Sequence, residues 1–394
     1  MTSRRIYDAL AGARQRLAAR DAAVLRTQIA VSEIAAPTGD ERQRGAWVAH
    51  RFAELGLEDI RTDVAGNVIG RRPGRNPDRS VAVCAHLDTV FPRSTPVAVR
   101  REGIRLTGPG ICDNGRGLAV MLALAEAIDG ASIRTLAPVD FVATTGEEGI
   151  GDLGGARAFF ADARDRVAAA IVLDGAGDER VVHRGLGSRR LRITYRGSGG
   201  HSWAAYGVPN PVHAAAAAVS ALAGLVLPRE PRTTLTVGRI GGGISVNAIP
   251  EEGWFEVDLR STSADLLERH DRQIREAVRQ AAALEDRRRA PGTPPLSYEI
   301  ARIGDRPCGS VPADHPLVTS ALDATHLIGR DPDLAAASTD ANIPLALGIP
   351  AIALGGGGRG GDAHTMAEWY DNTDGPLGLA RALTVIVSAA GGLA

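Results

Sequence analysis

The sequence contains no lysine, so all 45 of its basic residues are arginines, and they are balanced by 46 acidic residues. The absence of lysine excludes a Schiff-base lysine and the lysine of a phosphate-binding P-loop. The net charge of −1 gives no basic excess of the kind that nucleic-acid or membrane-surface partners require. We therefore expect no nucleic-acid partner and no membrane partner.

Cysteine is also scarce, and no run is long enough to predict a membrane span. Cys84, Cys112 and Cys308 are an odd number without paired spacing, which is typical of reduced thiols in a cytosolic protein. Residues 1–20 carry charges throughout and have no apolar core, so they do not resemble a signal peptide. These features together predict a cytoplasmic protein.

At 394 residues the chain is too long for one ordinary hydrophobic core, and we expect two domains. Short apolar runs predict buried strands at Val81–Ala85, Val139–Thr144, Ala169–Leu173 and Ala351–Leu354. Helices are predicted up to Ala36, over Arg42–Leu55, Gly117–Ile128 and Leu153–Phe160, and from His315 and Pro376 onward. Strands that alternate with helices favour an α/β fold with a mostly parallel, helix-covered sheet, whose ligand sites lie at the carboxyl ends of strands.

The pattern changes after about Gly187, where apolar and polar residues alternate as in a half-solvated antiparallel sheet. Predicted helices at Pro211–Leu225 and Ala264–Leu284 give the order strand-helix-strand-strand-helix-strand. This order predicts an inserted α+β domain. We therefore expect a first domain formed by residues 1–187 and 312–394, interrupted by a second domain formed by residues 188–311.

The first chemical motif, Ala85–Val90, comes directly after the predicted Val81 strand. In extended backbone His86 and Asp88 point to the same face, and an imidazole beside a carboxylate is typical of a metal ligand with its orienting partner. A second motif, Gly108–Gly117, places Asp113 between glycines just before a helix. Asp113 is either a helix N-cap or, because the glycines let the backbone approach a site, a carboxylate that bridges two cations.

The third motif, Thr144–Gly149, ends the Val139 strand with two adjacent glutamates, Glu147 and Glu148. Like charges at a buried strand end repel unless a positive group compensates them. Since neighbouring side chains in extended backbone point in opposite directions, we expect one glutamate to bind metal and the other to remain available as a base.

Two further motifs follow buried strands and supply Asp174 and His364. The glycine run before His364, Gly355–Gly361, can suggest a phosphate cradle, but no G-x-G-x-x-G opens a helix. The motifs H-E-x-x-H and G-x-S-x-G are also absent, which removes zincins and serine hydrolases. Two histidines and at least three carboxylates at strand ends suit two Zn²⁺ ions that share one bridging carboxylate.

Over nearly its whole length the chain resembles the dinuclear-zinc peptidase family that includes glutamate carboxypeptidase, tripeptidase T, aminoacylase and the acetylornithine and succinyl-diaminopimelate deacylases. The resemblance implies the zinc peptidase fold: a mostly parallel mixed sheet covered by helices, with an inserted ferredoxin-like α+β domain that serves as lid and dimerisation surface. It further implies a homodimer and two Zn²⁺ ions, in whose place Co²⁺ or Mn²⁺ could bind.

The resemblance also assigns roles to individual residues. His86 and Asp174 correspond to the terminal ligands of one zinc ion, Glu148 and His364 to those of the other, and Asp113 to the bridge. Asp88 corresponds to the carboxylate that orients His86, and Glu147 to the general base. His201 corresponds to a histidine that reaches the partner subunit's site in dimeric members, and Asn247 and Arg260 to residues that hold the substrate's carboxylate.

The function that follows is hydrolysis of an amide bond in a small peptide. Asp113–Gly117 departs from the lysine-containing version of many deacylases, which leaves the substrate open. The nearest rival is an N-acyl- or N-carbamoyl-amino-acid amidohydrolase with the same site. Two more distant functions stay open: a non-catalytic metal-binding scaffold on the same fold, and a phosphate- or nucleotide-binding protein that uses the glycine run.

Overall fold

The computed structural model describes residues 2–130 and 133–393. The chain forms two compact units, one of Met1–Gly185 with Gly309–Ala394 and the other of Leu186–Cys308. The second unit is therefore inserted into the sequence of the first. Within the described ranges, no helix combines the length and the apolar character that crossing a bilayer requires.

A large mixed sheet forms the centre of the first unit. Its strands are β1 (Glu58–Thr62), β2 (Val68–Arg72), β3 (Ser80–His86), β6 (Val139–Thr144), β7 (Val167–Leu173), β8 (Arg180–Gly185), β15 (Gly309–Ser310), β16 (Asp333–Ala337) and β17 (Ala351–Leu354). They lie in the order β1-β2-β6-β3-β7-β17-β8-β15, and β16 pairs with β8. The central strands β6, β3, β7 and β17 are mutually parallel, so their carboxyl ends meet at one edge.

A small antiparallel sheet lies in the same unit. Its strands are β4 (Arg100–Glu102), β5 (Arg105–Thr107), β18 (Arg359–Gly361) and β19 (Trp369–Asp371), in the order β18-β19-β5-β4. Strand β5 leads into the segment that carries Asp113, and β18 and β19 enclose the segment that carries His364. This sheet therefore brings two distant parts of the sequence together.

Helices cover the large sheet. They are α1 (Ser3–Ala9), α2 (Ala11–Ala19), α3 (Asp21–Ser32), α4 (Arg42–Glu54), α5 (Gly115–Gly130), α6 (Gly154–Asp162), α9 (Pro316–Leu327), α10 (Asn342–Ala346) and α11 (Gly375–Ala389). Helix α5 is apolar on nearly all sides and lies almost entirely within the core, together with the all-buried strands β3 and β6. A helix that is apolar on all sides is stable only when it is buried. The burial of α5 therefore fixes the position of its first turn, which directly follows Asp113 and Asn114.

The inserted unit is an α+β domain with a core of its own. Its elements are β9 (Gly187–Arg196), β10 (Gly200–His201), α7 (Pro211–Ala223), β11 (Thr233–Gly242), β12 (Ala248–Ile249), β13 (Glu252–Ser261), α8 (Ala264–Asp286) and β14 (Ser297–Arg306). The longer strands form an antiparallel sheet in the order β11-β13-β9-β14, and β10 pairs with β12. Both helices are capped at their amino ends, α7 by Asn210 and α8 by Ser263.

The predicted fold is confirmed: a mainly parallel, helix-covered sheet and a separate antiparallel α+β unit are both present. The strand order of the inserted unit is that of a ferredoxin-like domain. The predicted opening helical region consists of the separate helices α1, α2 and α3. Strands β1, β2 and β8 and the small sheet were not predicted, because they lack the continuous apolar runs that identify the other strands. Strand β16 was also not predicted, because its apolar run is mostly alanine, which is depleted in strands.

Candidate metal centre

Three candidate ligands lie at the carboxyl ends of adjacent parallel strands. His86 is the last residue of β3, Glu148 follows the end of β6, and Asp174 directly follows β7. Because β3 lies between β6 and β7, the ends of these strands bring the three side chains to one place on the sheet edge.

Asp113 lies between two histidines. Its Oδ1 atom is 3.0 Å from Nε2 of His86, and its Oδ2 atom is 3.1 Å from Nε2 of His364. Nε2 of His86 is also 3.9 Å from Oδ1 of Asp174, and Nε2 of His364 is 2.9 Å from Oε1 of Glu148. Each carboxylate oxygen of Asp113 thus faces a different histidine and a different second carboxylate.

These side chains form two overlapping groups of three, and within each group the ligand atoms lie within 4.8 Å of one another. The groups are His86 with Asp113 and Asp174, and Asp113 with Glu148 and His364. Ligand atoms bound to a zinc ion at 2.0–2.2 Å stand about 3–3.5 Å apart, close to the separations found here. The nitrogen and oxygen donors present therefore fit two divalent cations that share Asp113.

The pKa values of the carboxylates in the cluster indicate that it lacks positive charge. Burial raises the pKa of Asp174 to about 7, and the charge of Asp113 adds to this effect. Burial and Asp113 also raise the pKa of Glu148. Burial opposes ionisation of Asp113, but hydrogen bonds from His364 and His86 hold its pKa well below the ordinary value. The two histidines alone do not compensate the carboxylates, and divalent cations would.

The two histidines differ in exposure. Burial would lower the pKa of His86, but Asp113 and Asp88 raise it well above its usual value. A hydrogen bond to Asp113 raises the pKa of His364 to about 9, although burial opposes this shift. The His86 side chain is 2% exposed and that of His364 is 52% exposed, so the cluster is buried at His86 and accessible to solvent at His364.

Asp88 contacts both His86 and the glutamate pair. Nδ1 of His86 is 3.1 Å from the backbone carbonyl oxygen of Asp88 and 3.5 Å from its carboxylate. That buried carboxylate accepts hydrogen bonds from the backbone N–H groups of Glu147 and Glu148, each at 2.9 Å, and from the Thr38 hydroxyl. Through these hydrogen bonds Asp88 connects the end of β3 to the backbone of the glutamate pair.

The glutamate pair differs from the expectation that its side chains point in opposite directions. Carboxylate oxygens of Glu147 and Glu148 lie within 4.8 Å of each other and of a His86 nitrogen. The pair follows a turn in which Gly146 has φ +61°, and the consecutive N–H groups of both glutamates bind one carboxylate, although Glu148 itself has extended backbone angles. Both glutamates are buried beside the same centre.

Asn114 is a further residue of the site, and it was not predicted from the sequence. Its Oδ1 atom accepts hydrogen bonds from the N–H groups of Gly117 and Gly175, and its amide nitrogen donates to the carbonyl of Leu173. It thereby fixes the Asp113 segment against the end of β7, which carries Asp174. The available signal was an asparagine directly after the candidate ligand Asp113, but asparagine is not a typical zinc ligand.

Two backbone donors of the glycine run before His364 are bound to other parts of the protein. The N–H groups of Gly356 and Gly357 donate to the carbonyls of Gly175 and Gly177, and Arg116 binds the carbonyl of Gly356. No described helix begins at this run, since it leads into strand β18. Its backbone donors serve to fix the run, which disfavours the function of a phosphate-binding protein.

His201 and Asn247 lie in neighbouring segments of the inserted unit. Residue 201 pairs with Ala248 across β10 and β12, and the N–H of Ser202 donates to the carbonyl of Asn247. Nδ1 of His201 accepts a hydrogen bond from the N–H of Trp203 at 3.2 Å, which leaves the proton of a neutral imidazole on Nε2. His201 is exposed and presents an N–H donor.

Arg260 is distant from that pair within the same unit. It lies near the far end of β13, eight residues beyond Glu252, whereas Asn247 precedes the start of this strand. At about 3.3 Å per residue along a strand, Arg260 lies roughly 25 Å from Glu252, the residue at the start of β13. Nε of Arg260 donates to Asp258 at 2.7 Å. One small substrate cannot contact both Arg260 and the His201–Asn247 pair of the same chain.

A cavity of about 980 Å³ opens beside the cluster within the first unit, and Asp113 and Asp174 form part of its wall. Its other walls include Trp369, Arg359 and Arg330. Arg330 is paired with Asp178 and Asp374, which also line the cavity. The lining combines charged side chains with apolar surface, an arrangement that can hold a small polar molecule with an apolar part.

Comparison with known proteins identifies the family to which this chain belongs. Residues 82–388 match the family described as "Peptidase family M20/M25/M40". The chain belongs to this peptidase family, as the resemblance predicted.

Among curated relatives, the N-carbamoyl-L-amino acid amidohydrolase of Geobacillus stearothermophilus is 32% identical over 113 residues, which are 28% of this chain and 24% of the relative. Carboxypeptidase G2 of Pseudomonas sp. (strain RS-16) is 26% identical over 197 residues, 46% of each chain. The matches thus span less than half the length of these relatives.

Two solved structures resemble almost the entire chain. Aminopeptidase PepT from Bacillus cereus ATCC 10987 has a TM-score of 0.76 at 22% identity and matches 93% of this chain and 98% of its own. YXEP protein of Bacillus subtilis, described as a dinuclear metal binding peptidase, has a TM-score of 0.70 at 16% identity, covering 95% and 99%. At these identities the likeness shows the common fold.

Proposed function

We propose that the protein is a hydrolase that cuts an amide bond in a small peptide, using two divalent metal ions, Zn²⁺ in the first instance. His86 and Asp174 would hold one ion, Glu148 and His364 the other, and Asp113 would bridge them. The observation that carries the proposal is the position of Asp113, whose two carboxylate oxygens face two different histidines at 3.0 and 3.1 Å. A helix-capping aspartate requires no such arrangement.

The bound ions would lower the pKa of water and polarise the substrate carbonyl. Glu147 would take the proton of the attacking water and deliver it to the leaving nitrogen, as a general base and then a general acid. Its support is its position: it is buried next to His86 and Glu148. Asp88 would hold Glu147 in place through the backbone N–H that it binds.

The inserted unit would contribute groups that contact the substrate. His201 would donate its Nε2–H to the carbonyl oxygen on which negative charge develops. Asn247 and Arg260 would hold the substrate's carboxylate, Arg260 through a bidentate pair. Since Arg260 and His201 of one chain are too far apart for one substrate, we propose a homodimer in which His201 and Asn247 act at the partner's site and Arg260 acts at its own.

The second candidate is an N-acyl- or N-carbamoyl-amino-acid amidohydrolase with the same centre. The similarity to the N-carbamoyl-L-amino acid amidohydrolase, at 32% identity over 113 residues, favours it. The small-peptide substrate is supported by the match of residues 82–388 to a peptidase family. We also propose a cytoplasmic location, which the free thiols of Cys84, Cys112 and Cys308 support.

Metal analysis and a substrate panel test this proposal together. The purified protein is expected to contain two zinc-like ions per chain, and a chelator should abolish turnover, which added Zn²⁺, Co²⁺ or Mn²⁺ should restore. Dipeptides, tripeptides, N-acetyl and N-carbamoyl amino acids would be compared by kcat/KM, and we expect the highest value for a peptide. Full activity with one tightly bound ion would contradict the two-metal centre, whereas a preference for carbamoyl substrates would favour the second candidate.

The dimer proposal predicts complementation between two inactive variants. A His201→Ala chain mixed with a Glu147→Gln chain should regain activity, because each hybrid has one site with an intact base and a donated histidine. With random exchange, half the dimers are hybrids with one active site each, so we expect roughly a quarter of the parental activity. The measurement is turnover after subunit exchange, which is followed by mass spectrometry of differently tagged chains.

Arg260→Ala provides the matched control for this experiment. If Arg260 serves its own site, mixing Arg260→Ala with Glu147→Gln gives hybrids in which one site lacks the arginine and the other lacks the base. No recovery is then expected. A monomer in solution, or no recovery with His201→Ala despite confirmed subunit exchange, would contradict the assignment of His201 to the partner's site. Recovery with Arg260→Ala would instead contradict the assignment of Arg260 to its own site. Neither result would affect the metal centre.

A further inference from the structure

One buried side chain outside the proposed ligand set binds the segment that carries Asp113 at three backbone N–H groups. The carboxylate of Glu368 accepts hydrogen bonds from the backbone N–H groups of Gly110, Cys112 and Asp113, each at 2.8 Å. Its backbone carbonyl accepts a fourth, from Gly108, at 2.9 Å. Glu368 is fully buried, so these bonds replace water entirely.

The arrangement requires an ionised carboxylate with both oxygens as acceptors. Oε2 accepts from Gly110, and Oε1 accepts from both Cys112 and Asp113. Gly110 has φ +68°, a conformation that favours glycine and that gives the segment its turn. An amide in place of the carboxylate would direct an N–H₂ group at one of these donors. Hydrogen bonds to a charged acceptor are also about twice as strong as neutral ones.

Glu368 is connected to a second ligand through the chain itself. It lies four residues after His364, and its N–H donates to the carbonyl of Thr365 at 3.2 Å. His364 in turn has φ +66°, a conformation that a non-glycine residue keeps only when its surroundings hold it. Glu368 therefore joins the turn that carries His364 to the segment that carries Asp113.

We infer that Glu368 is a positioning residue that sets the bridging carboxylate of Asp113 for both metal ions. This inference rests on the proposed metal centre and adds to it a residue that acts through the backbone. The Glu368 carboxylate binds three N–H groups of the Asp113 segment rather than a ligand side chain. Because both ions share Asp113, a shift of this one segment would weaken both sites together.

A Co²⁺ titration of the metal-free protein tests the inference, with visible absorption as a readout independent of turnover. The parent protein is expected to bind two Co²⁺ ions per chain. Glu368→Gln should bind both about 10–100-fold more weakly, the usual effect of removing a group that orients a ligand. Its absorption bands at saturation should also differ from the parent's, because the geometry of the bridge has changed.

Glu33→Gln is the matched control. Oε1 of Glu33 also accepts a backbone N–H, that of Val99 at 3.0 Å, but this glutamate is exposed and the bond lies outside the ligand segments. It should leave Co²⁺ affinity unchanged. Glu368→Asp keeps the charge but withdraws the carboxylate by about 1.5 Å, and should also weaken binding of both ions if Glu368→Gln fails to fold.

The outcomes separate this inference from the proposed function. If the parent binds two ions and the folded Glu368 variants bind them with parental affinity and parental spectra, Glu368 has no positioning role, although the metal centre stands. If the parent binds fewer than two ions, the proposed centre is overturned and the inference with it. Weakened binding of only one ion would overturn the claim that Glu368 acts through the bridge.

Discussion

Glu147→Gln is expected to retain both metal ions and to lower kcat by about a thousandfold, within the range that a general base contributes. Glutamine has nearly the same shape but cannot accept and return a proton. Glu148→Gln, one residue further, is expected instead to loosen one metal ion. Because the two glutamates are neighbours at the same centre, this difference tests their roles more sharply than either loss alone.

The measurement is metal content and kcat at saturating metal and substrate for both variants, with the exposed Glu102→Gln as control. The control should behave as the parent. A loss of less than about tenfold in Glu147→Gln, roughly 1.4 kcal/mol, would withdraw Glu147 as the base. If Glu147→Gln lost an ion and Glu148→Gln retained both, the two assignments would have to be exchanged.

Asp113→Asn is expected to lose both metal ions and all measurable turnover. A bridging aspartate supplies one oxygen to each ion, and its two oxygens face His86 and His364 here. An amide offers a single good acceptor and removes the negative charge. The test is Co²⁺ titration, and retention of one ion at parental affinity would mean that Asp113 binds one ion only.

Asp174→Asn is the matched comparison, since it should weaken one ion alone. It should also raise the melting temperature of the metal-free protein at pH 8. The folded-state pKa of Asp174, about 7, is above its ordinary value, so ionisation costs stability progressively as pH rises from about 4 to 7. The asparagine variant avoids that cost. An unchanged or lower melting temperature at pH 8 would contradict the inference that ionised Asp174 destabilises the metal-free protein.

The parts of the fold that depend on long apolar runs could be predicted from the sequence. Strands β3 and β7 have long apolar runs and β6 has a shorter one after Asp140, and the candidate ligands beyond their ends follow from the rule that parallel strands end at one edge. The small sheet was not predicted, because β4, β5, β18 and β19 have three residues each and mix arginine, glycine and aromatic residues. Such short strands are stabilised by tertiary pairing.

The supporting residues of the site could not be found in the same way. Asn114 and Glu368 act on backbone groups, and which backbone groups come near depends on the three-dimensional fold. The distance between His201 and Arg260 depends likewise on the direction of β13, which residue spacing does not reveal. The convergence of Glu147 and Glu148 beside His86 is likewise not visible in residue spacing, since the backbone N–H groups of both glutamates bind the Asp88 carboxylate, about 60 residues earlier in the sequence. Ligand chemistry is visible in the sequence, whereas these supports are not.

The insertion point has a consequence for how such a protein diversifies. Gly185 and Gly309, the residues that flank the inserted unit in sequence, are direct partners in the antiparallel pair of β8 and β15. The inserted unit therefore occupies the position of the loop of a β-hairpin, a place where chains tolerate large additions. All five proposed ligands lie outside it. A lineage could exchange or remodel this module, and with it the groups proposed to contact the substrate, while the proposed metal ligands are inherited unchanged.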